Sequence, residues 1–330
     1  MKDTVTDNVT DVNEIKRSFP VSRLARLTVH NVDGQIDIAP GEEGVISVRA
    51  QKHPGPGANQ TEIEISQDAE GRVSVITHYL EDLIARLFHP SHHGPARVDY
   101  TIRLPNSCQV EVATVSGPAR LQGLAGEFAL RSVSGPIDLQ GLSGRLRLNT
   151  VSGPVTGAQI RLEDSLTAET VSGDIILADS FVPGIAANSV SAQVRLQSAL
   201  GAGPYHFHSV SGDAWLAMPS AAACQVDMRS LSGGLRTSLP ASRHQARGGW
   251  TRVAFGDSAG PDIRFHSVSG DLHLVTPESP AGTEPAPAPR EAATPDMAGD
   301  NPGSPDRMDV IDRLARGELS VDEALTTLKR

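Results

Sequence analysis

Aromatic residues are scarce in this chain, with seven Phe, three Tyr and two Trp among 330 residues. A core built on large rings is therefore excluded, and any interior has to be filled by Val, Leu and Ile. Cysteine is almost missing too: Cys108 and Cys224 are the two in the sequence, which rules out a disulfide scaffold and paired-cysteine metal spacing. Nowhere do about eighteen uncharged apolar residues run together, so no transmembrane helix is expected. An excess of positive charge is also lacking. The net charge is −10; residues 114–275 carry 12 Arg against 12 acids, and residues 276–330 carry 6 basic against 11 acidic side chains. Phosphate backbones are bound by clustered cations, so nucleic acid is not an expected partner. Residues 1–17 place Asp3, Asp7, Asp11 and Glu14 where a secretory signal is basic and then apolar, and a cytoplasmic location follows as the expectation. There is no Gly-rich phosphate loop and no nucleophile elbow. No enzyme activity and no cofactor are expected.

What the chain does contain is a returning phrase. Thr114-Val115-Ser116-Gly117 is followed by copies beginning at Ser132, Thr150, Thr170, Ser189, Ser209, Ser230 and Ser267, at spacings of 18, 18, 20, 19, 20, 21 and 37 residues. Self-similarity at such a period marks a repeat array. Between copies the apolar residues alternate, as in Val133, Ile137 and Leu139, and after Gly141 and Gly144 in Leu146 and Leu148. Period two means strands, two or three to each repeat, broken at Gly-rich corners. The alternation places the valines of the phrase, Val151 among them, toward the interior. A period of about nineteen residues at ~3.3 Å each is one turn of a narrow solenoid, and turns of this kind are stabilised by stacking. The expected fold is all-β, a single-stranded β-helix or β-solenoid of 18–21-residue repeats, with a small C-terminal helical hairpin. Stacking in chain order lines up Ser116, Ser134, Ser152, Ser172, Ser191, Ser211, Ser232 and Ser269, a hydroxyl ladder able to satisfy itself and the corner backbone. The 37-residue interval reads as two periods with one degraded copy between Leu239 and Asp262, where Trp250 belongs to a hairpin closing the far end.

The repeated Ser/Thr-Val-Ser-Gly phrases, with Phe255-Gly256-Asp257 leading to Ile263-Arg264-Phe265-His266-Ser267-Val268-Ser269-Gly270-Asp271-Leu272, resemble the bacterial "putative adhesin" β-strand-repeat family over residues 20–277. The resemblance implies a β-helical fold, and an adhesin role by fold analogy alone.

In chain order, residues 1–17 read as a disordered N-terminus, 18–277 as the solenoid with an N-terminal cap at 18–113, 278–305 as a disordered Pro/Ala/Gly linker and 306–330 as the helical hairpin. Asn31-Val32-Asp33-Gly34 is a degenerate first copy of the phrase. Within the cap, Leu80, Leu83, Ile84, Leu87 and Phe88 fall on one helical face, with Leu87 and Phe88 as anchors for the sheet, a partner or a membrane. His89, His92 and His93, with His78 nearby, are the candidate metal ligands by residue type; their Pro/Gly-flanked setting favours a solvated loop. Cys108 and Cys224 lie six periods apart, roughly 29 Å, beyond disulfide reach, and should be free thiols. His30 and His206 are the histidines by type that could serve as their bases.

In the C-terminal segment Met308, Ile311 and Leu314 have helical spacing, and Ser320-Val321-Asp322-Glu323 is a capping box before Leu325 and Leu328. These five apolar residues are the candidate partner-docking set. The segment resembles the short two-helix modules that accompany this repeat family in cell-envelope stress proteins. Together these readings predict a non-catalytic scaffold or binding protein, in envelope stress or surface sensing, whose partner is a protein, a second copy or the envelope periphery. The alternatives are a carbohydrate-active enzyme on a β-helix and an exported adhesin.

Overall fold

The computed structural model describes residues 8–11, 13–21, 24–55, 57–79, 95–218, 223–247, 250–256 and 260–276. The helix expected over residues 80–88, the histidines at 89, 92 and 93 and the hairpin at 306–330 lie outside the described residues. What is described is all-β, 27 strands with one 3-10 turn at Ala58–Gln60.

Each repeat supplies two strands to the stack. Ala125–Ser132, for example, pairs in parallel with Ser107–Thr114 on one side and Ser143–Thr150 on the other, while Ile137–Gln140 pairs with Ala119–Gln122 and Val155–Ala158. Two sheets result, one of long strands and one of mostly shorter strands, facing each other across a core one side chain deep from each sheet. Inward residues form columns along the stack. One runs Val112, Leu130, Leu148, Ala168, Ala187, Phe207, Phe265 and Met228, all buried. The pair of alanines is offset by the two phenylalanines that follow, which keeps the interior filled with few aromatic residues.

The phrase forms the corner between the sheets, and its orientation differs from the alternation. Its first and fourth residues face inward. Thr114 Oγ1 donates to Gly117 O at 3.0 Å, Thr150 Oγ1 to Gly153 O at 2.8 Å and Thr170 Oγ1 to Gly173 O at 2.8 Å, closing the turn on a buried hydroxyl. At the fourth position a side chain has no room: a Cβ on Gly135 would sit 2.1 Å from Gly117 O. The second-position residue therefore lies on the outer ridge in most copies, Val171 at 8% exposed being a buried exception. Val115 and Val268 are 43% exposed and Leu231 is 85% exposed, and Val151 is only half-buried. The inward assignment of Val151 is thus corrected. A strand reading carries period two through the corner, whereas a turn that buries positions one and four has period three. The third-position serines are mostly exposed and bond to the corner backbone, Ser116 Oγ to Val32 O and Ser134 Oγ to Val115 O, both at 3.0 Å.

Stack order departs from chain order at both ends. Ala25–Asn31 lies between Arg72–Tyr79 and Ser107–Thr114, and Ile36–Pro40 lies between Val98–Leu104 and Ala119–Gln122. The coil of residues 25–40 is thus flanked on both sides by coils that come later in the chain. At the far end Asp262–Ser267 inserts between Tyr205–Ser209 and Cys224–Ser230, and Leu272–Val275 between Ala214–Ala217 and Leu235–Thr237. The far-end hairpin expected between Leu239 and Asp262 is present as antiparallel strands Ala241–Arg247 and Trp250–Phe255 added to Cys224–Ser230, and it stands in place of a further coil. Linear stacking in chain order is therefore corrected at the two ends. The inserted first coil is held by a buried polar network: Asn31 Nδ2 donates to Val98 O at 2.9 Å, Thr77 Oγ1 donates to Asn31 Oδ1 at 2.9 Å, and Thr77 and Tyr100 hydroxyls are 2.7 Å apart. Asn31 stands where later copies carry Ser or Thr because its longer side chain reaches the outer coil as well as its own corner carbonyl, Gly34 O at 3.2 Å.

Candidate functional site

Stacking in register converts sequence repeats into rows across the outer face of the long-stranded sheet. One row runs Arg72, Arg26, Gln109, Glu127 and Arg145, and the next runs Ser74, Thr28, Glu111, Ala129, Arg147 and Thr167. Ala129 is the small member of its row. Its neighbours Glu111 and Arg147 stand one strand away on either side, roughly 10 Å apart at ~4.8 Å per strand. The gap over the alanine is a hollow of about 440 Å³ that both rows line.

Most of its charges are already paired. Arg145 reaches Asp164 at 2.7 Å and Glu127 at 2.9 Å, and the Asp164 carboxylate, with Glu127 beside it, holds the guanidinium above its ordinary pKa. Glu111 is tied to Arg131 at 3.3 Å, and Gln109 Nε2 donates to Glu127 at 3.1 Å. Arg72 and Arg147 make no ion pair among the described residues. The hollow thus offers two uncommitted guanidinium groups, the hydroxyls of Thr28 and Thr167, and a flat floor. Such a set can hold a polar or acidic surface by hydrogen bonds, because guanidinium groups bind carboxylates in a bidentate manner.

The residues singled out in the sequence are not brought together here. His78 binds Glu64 at 3.0 Å on the cap. Cys108 and Cys224 are both buried and free, separated by seven strand steps rather than six because the last coil is interposed, roughly 34 Å. Burial pushes the Cys108 thiol up to about 12 and the Cys224 thiol up to about 11. His30 and His206 lie on the outer face, in the rows facing away from the core that holds the thiols; Cys224 Sγ instead meets Met218 Sδ at 4.0 Å. Neither pair is a nucleophile with its base. Among the described residues no three His, Cys, Asp or Glu side chains converge for a metal ion. Trp250 does fasten the terminal hairpin: its indole N–H donates to Asp227 at 2.6 Å, and Arg252, over the ring at 4.8 Å, binds the same carboxylate. Although burial opposes it, bonding to Arg252 and Trp250 holds Asp227 below the ordinary carboxylate range.

On the other sheet, Trp215 lies under Arg195 at 5.0 Å and stacks on His273 at 3.6 Å with the rings 4° from parallel. Both faces of the indole are covered. The hollow was missed in the sequence although a signal existed: aligning the phrase alone puts Glu111, Ala129 and Arg147 eighteen residues apart. Arg72 could not have been placed, since it joins the row through the out-of-order coil.

The family described as Toastrack DUF4097 matches residues 18–275. No curated protein matches the chain. Among solved structures, a "putative cell adhesion protein" from Clostridium sporogenes is 9% identical, with 79% of this chain and 98% of that chain covered at a TM-score of 0.25. A "Putative lipid binding protein" from Parabacteroides distasonis is 12% identical, with 81% and 98% covered at a TM-score of 0.46.

Proposed function

Because the chain belongs to the Toastrack DUF4097 family over residues 18–275, we propose a function from its own surface: a non-catalytic binding module or scaffold that presents the hollow over Ala129 to a protein partner in envelope stress or surface sensing. The observation that carries this reading is the hollow over Ala129 with the uncommitted Arg72 and Arg147, while the other charged side chains that line it are paired. Catalysis is disfavoured by the chemistry of the groups present. The thiols are buried in their neutral form. Glu111 and Glu127 each sit against an arginine, whereas a glycosidase acid needs an apolar setting that keeps its proton. Trp215, covered on both faces, offers no platform for a sugar ring.

The test uses full-length protein immobilised beside its Ala129→Trp and Arg147→Glu variants and exposed to envelope extract. Proteins retained by the wild type and lost from both variants support the proposal, and identical retention by all three sinks it. Cell fractionation separates a cytoplasmic scaffold from an exported adhesin. Hydrolysis of polysaccharide that disappears in Glu111→Gln would favour the enzyme reading instead.

A further inference from the structure

The two ends of the solenoid are finished in opposite ways. At the N-terminal end the outermost long-sheet strand, Thr61–Gln67, has its edge covered by the opposite sheet. Arg17 Nη1 donates to Ile65 O at 2.7 Å, Lys52 Nζ to Thr61 O at 3.2 Å, and Gln67 Nε2 returns a bond to Pro20 O at 2.8 Å. At the C-terminal end the outermost strand is Ala241–Arg247, which pairs with Trp250–Phe255 along one edge. No strand among the described residues pairs with its other edge, and no side chain among them donates to its carbonyls. Residues 241–246 are exposed on both faces of the strand. An open edge is a template for another chain segment.

The sign of this end selects the segment. Residues 241–255 contain three Arg (243, 247 and 252) and no acid; Arg252 is bonded to Asp227 and the neighbouring Arg236 to Asp271, which leaves Arg243 and Arg247 as the charge in excess at this end. Arginines along an edge discourage pairing with neutral or like-charged strands and favour an acidic one. The chain contains an acidic stretch: residues 277–330 hold 11 acidic and 6 basic side chains, 6 − 11 = −5. Position agrees with charge. The last described strand, Leu272–Val275, lies directly beside Leu235–Thr237, so the chain leaves the solenoid at the end that carries the basic hairpin, with 54 residues from 277 to 330 still to run. A tether of that kind gives an effective concentration on the order of millimolar, enough for a weak charge-driven contact.

We propose that the acid-rich segment 277–330 docks in cis on the basic, open-edged hairpin of residues 241–255. The contact covers the edge that the fold itself leaves bare, and it is released by salt, because exposed charges are screened over ~8–10 Å at physiological ionic strength. This goes beyond the hollow over Ala129, which lies on the face and not at the end.

Hydrogen exchange on the full-length chain tests it, with the amides of residues 241–247 as the readout. In low salt they should exchange about tenfold more slowly than in about 0.5 M salt, where the Debye length falls to ~4 Å. Arg243→Glu should abolish that protection, and so should neutralising Glu318, Asp322 and Glu323 together as Gln, Asn and Gln. The amides of residues 125–158 report whether the solenoid stays folded in each variant, and the tail variant leaves the hairpin untouched should Arg243→Glu disturb it. Exchange at one rate in low and high salt overturns the proposal. So does protection that rises with protein concentration, which would assign the edge to a second copy.

Discussion

Replacing Gly135 with alanine should damage the solenoid far more than the same change at its neighbour Ser134. The added Cβ would lie 2.1 Å from Gly117 O and 2.8 Å from Gly117 C, and backbone atoms cannot swing aside as a side-chain tip can. Relief requires the corner to move about 1 Å away from the preceding coil. That coil holds it by Val133 N to Thr114 O at 3.1 Å, Ser134 N to Val115 O at 2.7 Å and Gly135 N to Val115 O at 3.2 Å. Losing two or three such bonds at ~1 kcal/mol each gives about 3 kcal/mol. For a unit of this size that is a fall of roughly 6–12 °C in Tm at ~2–4 °C per kcal/mol. Ser134→Ala removes an exposed hydroxyl whose acceptor, Val115 O, keeps two backbone donors, so about 0.5 kcal/mol or less is expected. The sequence contains its own control in Ala192, which occupies the glycine position of a later copy. Its corner keeps the middle one of these three bonds, Ser191 N to Val171 O at 2.8 Å, without the other two among the described residues. Thermal melting followed by circular dichroism decides the matter. A Gly135→Ala protein melting within about 2 °C of the wild type would refute the steric account.

Three further outcomes are expected. Asn31→Ala strips the inserted coil of its bonds to Val98 O, Gly34 O and Thr77 and should cost about 3 kcal/mol, read from the denaturant midpoint; a change under about 0.5 kcal/mol would show that the network does not hold the coil. Thr150→Val, which orphans Gly153 O, should lower stability by ~1–3 kcal/mol, more than Val151→Asp on the outer ridge does, and the reverse ranking in paired melts would restore the inward valine. Burial raises the folded-state pKa of Cys108, Tyr100 and Tyr205 to about 12 and of Cys224 to about 11. Their contribution is therefore complete below the unfolded values of ~8.5–10 and is lost as pH climbs toward the folded ones. Chemical denaturation should be flat from neutral pH to about 8.5 and weaken beyond it, and a midpoint that rises through that window would contradict the burial of these groups.

The repeat was legible because one phrase combines three local demands: an inward hydroxyl that closes the turn, a fourth position with no space for a side chain, and an outward serine for the neighbouring carbonyl. None depends on which coil is next in the stack. For that reason the stack order was illegible. In a parallel array every coil offers the same inward pattern and the same row of N–H and C=O groups, so coil 25–40 fits beside Ser107–Thr114 or beside Arg72–Tyr79 with the alternation unchanged. What breaks the degeneracy is specific contact, and its traces in the sequence are slight: Asn31 in place of Ser or Thr, and the 37-residue interval before Ser267. Both mark a coil that lies inside the stack although it is the first or last in the chain. That placement gives each of these coils two flanking neighbours in place of one, and in a fold stabilised by nearest-neighbour stacking it leaves the ends of the array to the antiparallel strands Thr61–Gln67 and Ala241–Arg247. The hollow inherits the same degeneracy. Glu111, Ala129 and Arg147 follow from the period, but Arg26 and Arg72 reach the site only because the first coil is inserted between two later ones, which makes the site a consequence of stack order and not of the repeat itself.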